Sequence, residues 1–172
     1  MGKKKWWKIG TLIAIAVLVF AIDIIAKYII DAKIESGSEV RVIPYVIDFT
    51  NVHNYGAAWG MLSGKQAFLI FLTVLFIAVF IWYYIKEKNK TWLLTISFGL
   101  LLAGCFGNLF DRVFFGYVRD FLMFDFWKAF PVFNFADVAL FVGVILFVIY
   151  LSLYFAKKGK DKKKEKEEEK DA

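Results

Sequence analysis

A mostly α, membrane-embedded fold is predicted by three features of the chain. Four apolar runs are each long enough to span a bilayer, which takes roughly 20 helical residues. Hydrophobic residues make up 60% of the 172 positions, well above the about 45–50% of a soluble domain. Lysines fall in short clusters between the apolar runs rather than along one face, a membrane pattern and not a nucleic-acid one. The content of 20% aromatic residues excludes a disordered chain, and one Cys with two Pro excludes a disulfide scaffold or a collagen-like repeat.

The first run is Ile9–Ile30, interrupted by Asp23 and Lys27. It exceeds a usual signal-peptide core of about 7–15 residues, and no small-x-small site follows, so a retained helix is expected. The second run, 67–85, has no charge. The third, 91–110, ends at Asp111 and Arg112, and the fourth, 137–156, is charged only at Asp137. The connection 86–90 is a tight turn. The segments 31–66 and 112–136 are much longer and hold most of the polar variety.

Charge sets the expected orientation. With both ends cytoplasmic, the inner side holds Lys3, Lys4, Lys5, Lys8, Lys86, Lys88, Lys90 and eight lysines of the tail. The outer side holds only Lys33, Arg41, Lys65, Arg112, Arg119 and Lys128. Trp6, Trp7, Trp82 and Trp92 sit near the inner ends of the spans, as interfacial anchors do. In the first outer segment, residues 39–50 are rich in β-branched side chains and predict short strands, with Pro44 confining them to an edge or a break. The second outer segment is strongly aromatic and is expected to lie in or on the interface. The Lys/Glu run 157–172 predicts a solvated tail, disordered or helical.

Ionisable groups inside an apolar span cost about 2.5–3.5 kcal/mol each and need a reason. Asp23 and Lys27, four apart, share a helix face and can pair, either to fix packing or to meet a substrate. Gly104, Gly107, Asn108, Asp111 and Arg112 recur at helical spacing on the third span. The glycines permit close approach, and the polar residues predict a patch at its outer end, with Asp111 and Arg112 read as a structural pair. Asp120 and Asp137 are taken singly as a loop acid and a helix-start acid. Together, on segments that converge at one depth, they make a candidate acid/base pair.

Other chemistries are weakly represented. His53 is the only His, too few for a His-based zinc site, which takes three or four ligands; it is expected to be a hydrogen-bonding loop residue. Cys105 reads as a packing residue. Ser63 and Lys65 lie in a loop with Gly60 and Gly64 and read as turn chemistry. No Walker A or dinucleotide fingerprint is present.

Five motifs follow one another in the chain: Asp23-x-x-x-Lys27, Asn54-x-Gly56-Ala57-Ala58-Trp59-Gly60, Gly107-Asn108-x-x-Asp111-Arg112, Val118-x-Asp120-Phe121 and Phe133-Asn134-x-Ala136-Asp137. In this order, with four spans between them, the chain resembles the lipoprotein signal peptidase (signal peptidase II) family over roughly residues 9 to 156. The resemblance implies a bacterial aspartyl endopeptidase of the cytoplasmic membrane. Such an enzyme removes the signal peptide of diacylglyceryl-modified prolipoproteins just before the lipidated Cys, without metal or organic cofactor. It implies Asp120 and Asp137 as catalytic dyad, and Asp23, Lys27, Asn54, Gly56, Asn108, Asp111, Arg112 and Asn134 as substrate-binding or supporting residues.

The family fold adds an extracytoplasmic β-cradle and an interfacial helix to four spans. The implied organisation is one peptidase domain, residues 1–156, and a cytoplasmic tail, 157–172. The enzyme is expected to be a monomer whose partners are the prolipoprotein and membrane lipids, with no nucleic acid, and with its site at the outer leaflet. Ile24 stands where the family often has Gln, and Ala103-Gly104 where it commonly has a Gly pair. The alternative class is a non-enzymatic membrane subunit or transporter, against which the absence of internal repeats argues.

Overall fold

The computed structural model describes residues 3–168, with side chains for residues 6–161. In chain order, helix α1 (Lys3–Lys33) leads into a hairpin of strands β1 (Glu39–Ile43) and β2 (Ile47–Asn54). Helices α2 (Gln66–Lys86) and α3 (Trp92–Phe114) follow, then strand β3 (Val118–Phe124) and helix α4 (Phe135–Glu168). All four helices are long and apolar enough to cross a membrane. The chain is a multi-pass membrane protein. Of the expected tail, 157–168 continues α4, and residues 169–172 lie outside the described residues.

Helix α3 is the centre of the bundle. Thr91 caps it by accepting the Leu94 N–H at 3.1 Å, and two-thirds of its most apolar stretch is buried, against 11–17% for the other helices. Its small residues explain this position. A Cβ on Gly107 would lie 2.7 Å from Asp23 Oδ2 and 2.9 Å from the Ala136 Cβ. Only glycine lets α1 and the start of α4 approach here together. At the end remote from the sheet, the bundle is closed by rings. Tyr83 stacks on Phe98 at 5.5 Å and meets Phe147 edge-on at 5.6 Å, joining α2, α3 and α4.

The sheet is antiparallel in the order β1-β2-β3. The hairpin lies where β-branched residues predict it, with Pro44 in its turn. β1 is exposed throughout. The register of β2 on β3 shifts between Phe49 and Val52, so β2 carries an extra residue there. Such a bulge bends the strand.

Two expectations are corrected. The aromatic segment 112–136 contains strand β3, which is buried at Val118–Met123, because it pairs with β2 on one edge and packs against Ile30, Ile34, Phe133 and Phe135. Asp120 is therefore a strand residue and not a loop acid. The interfacial helix is reduced to one 3-10 turn, Ala58–Gly60. Its surroundings carry left-handed backbone at Trp59, Gly60, Leu62 and Gly64, which breaks any longer helix.

Candidate active site

Strand β3 presents Asp120 and the first turn of α4 presents Asp137; Asn134 joins them. The Asn134 Nδ2 donates to Asp120 Oδ1 at 2.7 Å, and its backbone N–H donates to Asp137 Oδ2 at 3.1 Å. Its Oδ1 accepts the Asp137 N–H at 2.9 Å, so the same side chain caps α4. Each carboxylate takes a further amide. Asn54 Nδ2 donates to Asp120 Oδ2 at 2.9 Å, and Asn108 Nδ2 donates to Asp137 Oδ1 at 2.7 Å. Asn134 Nδ2 also donates to Asn108 Oδ1 at 3.1 Å, which fixes which way that amide points.

Asp120 is 3% exposed. Burial, and next the charge of Asp137, push its carboxyl up to about 8. Two neighbouring carboxyls resist double ionisation.

Arg112 and Asp111 do not pair with each other. Adjacent helical residues point about 100° apart, and the two side chains leave α3 in different directions. Arg112 Nη2 donates to the Gly56 carbonyl at 3.1 Å, and its buried Nε has no hydrogen-bond partner among the described residues. Gly56 in turn donates its N–H to Asn54 Oδ1 at 2.9 Å. A Cβ there would lie 2.6 Å from the Met61 carbonyl oxygen, so the turn closes only on glycine.

Asp111 faces α1 and forms a 3.1 Å ion pair with Lys27, which is also 2.7 Å from Asp23. All three side chains are fully buried. Asp23 Oδ1 accepts the Ala136 N–H at 2.9 Å, tying α1 to the start of α4. Lys27 Nζ also donates to Asn108 Oδ1 at 3.5 Å. The i, i+4 pair expected from sequence is thus one part of a three-residue buried cluster. Two further members, Arg119 and Asp31, were not among the candidates. Arg119 is 2% exposed, bonds Asp111 at 2.8 Å and reaches Asp31 at 3.0 Å. The strand around Asp120, not legible in the sequence, puts residue 119 on the face opposite the dyad.

A cavity of about 940 Å³ adjoins the two aspartates. Asn54, Asn108, Arg112, Asp120 and Asp137 form its polar end. The rest is mostly apolar, walled by Phe76 and Phe80 of α2, Leu101 of α3, and Leu140, Phe141 and Val144 of α4. Cys105 lines it one turn from Asn108. His53 is elsewhere, stacked on Tyr117 at 4.0 Å. Among the described residues no group of three or more His, Cys, Asp and Glu is placed to hold a metal. The arrangement can hold a proton on one carboxyl, a base on the other and an apolar ligand beside them.

Residues 15–153 match the model of the family described as signal peptidase (SPase) II. A lipoprotein signal peptidase of Staphylococcus aureus is 40% identical over 160 residues, covering 92% of this chain and 97% of that relative. Another, from S. aureus strain MRSA252, is 41% identical over 149 residues, covering 86% and 91%. A solved bacterial membrane enzyme superposes with a TM-score of 0.82 at 39% identity, covering 87% of this chain and 92% of its own.

Proposed function

We propose that this chain, a membrane protease that belongs to the signal peptidase II family, removes the signal peptide from diacylglyceryl-modified prolipoproteins. Cleavage falls just before the lipidated Cys, with Asp120 and Asp137 as catalytic dyad. The observation that carries this reading is Asn134, whose side chain and backbone bond both carboxylates at once.

One carboxyl of the pair keeps a proton and the other is ionised. The ionised member takes a proton from a water, the protonated member hydrogen-bonds the scissile carbonyl, and the water attacks. The tetrahedral intermediate then collapses as the leaving amine is protonated. The peptide lies at the polar end of the cavity, where the Arg112 Nε, without a hydrogen-bond partner among the described residues, offers a donor to a substrate carbonyl. The acyl chains lie along the apolar wall. A substrate that carries peptide and acyl chains on one residue suits a cavity with one polar end. Residues 1–156 act as one monomeric unit, surrounded by lipid, with the site at the outer leaflet and both termini cytoplasmic.

A gel-shift assay on a diacylated prolipoprotein tests the reading. Asp120→Asn and Asp137→Asn are each expected to lower turnover about 10³-fold or more while binding persists. Cys105→Ala and His53→Ala are expected to stay active. Near wild-type cleavage by either Asn variant ends the dyad reading.

A further inference from the structure

We propose that Arg119 is a positioning residue for the cleavage reaction: it clamps the strand bearing Asp120 to the ion cluster that also orients Asp137. The proposal rests on the dyad reading above. Successive strand residues point to opposite faces, so while Asp120 looks into the cavity, Arg119 looks at the ends of α1 and α3. There its donors are taken by two carboxylates. Nη2 and Nε reach Asp111 Oδ1 at 2.8 and 3.3 Å, and Nη1 reaches Asp31 Oδ2 at 3.0 Å. The guanidinium also packs against two rings set edge-on to each other, 4.6 Å from the Tyr28 centroid and 4.3 Å from that of Phe115.

Its main chain is held as well. The Arg119 N–H donates to Asp111 Oδ2 at 3.0 Å, and its carbonyl accepts from Asn134 Nδ2 at 3.4 Å. The peptide leading into Asp120 is therefore fixed on both sides.

Asp111 is the hub of this arrangement. It holds Arg119 by side chain and backbone, and it pairs with Lys27. Lys27 bonds Asn108, which donates to Asp137. Both carboxylates thus trace to one buried anion, Asp120 through the strand and Asp137 through an amide. Loss of the guanidinium frees β3 to shift relative to α4. A displacement of about 1 Å at a reacting group can cost about 100-fold in rate.

The test is steady-state cleavage of a diacylated prolipoprotein by purified, monodisperse Arg119→Met, Arg119→Lys and Asp31→Asn full-length protein. Arg119→Met is expected to lower kcat between about tenfold and 100-fold with KM within about twofold. Arg119→Lys keeps a charge but not the planar fork, and is expected to recover at least about threefold of that loss. Asp31→Asn removes one partner at the cluster's rim and is expected to lower kcat by a few-fold, KM again unchanged. If Arg119→Met does not fold, Asp31→Asn and Arg119→Lys decide by the same readout. A wild-type kcat per folded molecule, equal losses in the Met and Lys variants, or a rise in KM alone would each overturn the proposal. Asp120→Asn and Asp137→Asn run beside them separate the two failures. If those remain active the dyad reading fails; if those are dead and Arg119→Met is fully active, only the positioning role fails.

Discussion

Asn134 donates through its side-chain amide to Asp120 at 2.7 Å, and the same residue caps the helix that begins beside Asp137. The positions of the two acids are thereby linked through one residue. Asn134→Ala is expected to lower kcat by about 100-fold and to cost about 1 kcal/mol through the lost cap. Asn134→Asp keeps the cap but places a third carboxylate at the pair, and is expected to be as inactive. Cleavage rates and thermal unfolding in detergent check both. Wild-type kcat in Asn134→Ala would show that the acids hold their geometry unaided.

Asp120 binds a proton more tightly in the folded protein, at about 8, than at its ordinary 3.8. Between these values the folded state carries more protons than the unfolded one, so stability falls as pH rises from about 4 to 8. In the proposed mechanism the pair shares one proton, so activity is expected to fall above about pH 8. Denaturant unfolding and pH–rate profiles from pH 5 to 10 check this. Asp120→Asn, which cannot titrate, is expected to flatten the stability slope. An unchanged slope in that variant would assign the titration to another group.

Lys27 faces two carboxylates with no water exposure on any of the three. Removing one partner of a buried ion pair costs about 3–5 kcal/mol when the remaining charge is stranded; here Lys27 keeps Asp111 at 3.1 Å, so Asp23→Ala is expected to cost less than that. Asp23→Ala also removes the acceptor of the Ala136 N–H, so it is expected to lower folded yield and Tm together. Size-exclusion recovery and thermal shift check it. Full stability with no turnover at saturating substrate would move Asp23 into the chemistry.

The lysine distribution favours both ends on the cytoplasmic side. On a Cys105→Ala background, Lys160→Cys is expected to resist an impermeant thiol reagent added outside intact cells. Tyr45→Cys, at the 84% exposed hairpin turn, is expected to react. The opposite pattern would invert the topology and move the site to the inner leaflet.

The sequence by itself determined the elements whose signals are local. Apolar runs located four helices because each run must satisfy its own backbone in lipid. Asp23 and Lys27 announced a pair because four residues return a helix to the same face. β-branched residues around Pro44 marked the hairpin. Strand β3 was hidden because it is buried nearly throughout, so its apolar and aromatic residues did not alternate with polar ones as a half-exposed strand does. The tertiary structure decided which charges meet. Asp111 and Arg112 are neighbours in the chain, yet a 100° turn of the helix sends one to Lys27 and Arg119 and the other to Gly56. Arg119 and Asp31 are 88 positions apart, and Asp120 is joined to Asn54 across 66. Such contacts depend on how strand and helices pack against one another, and no local periodicity encodes them.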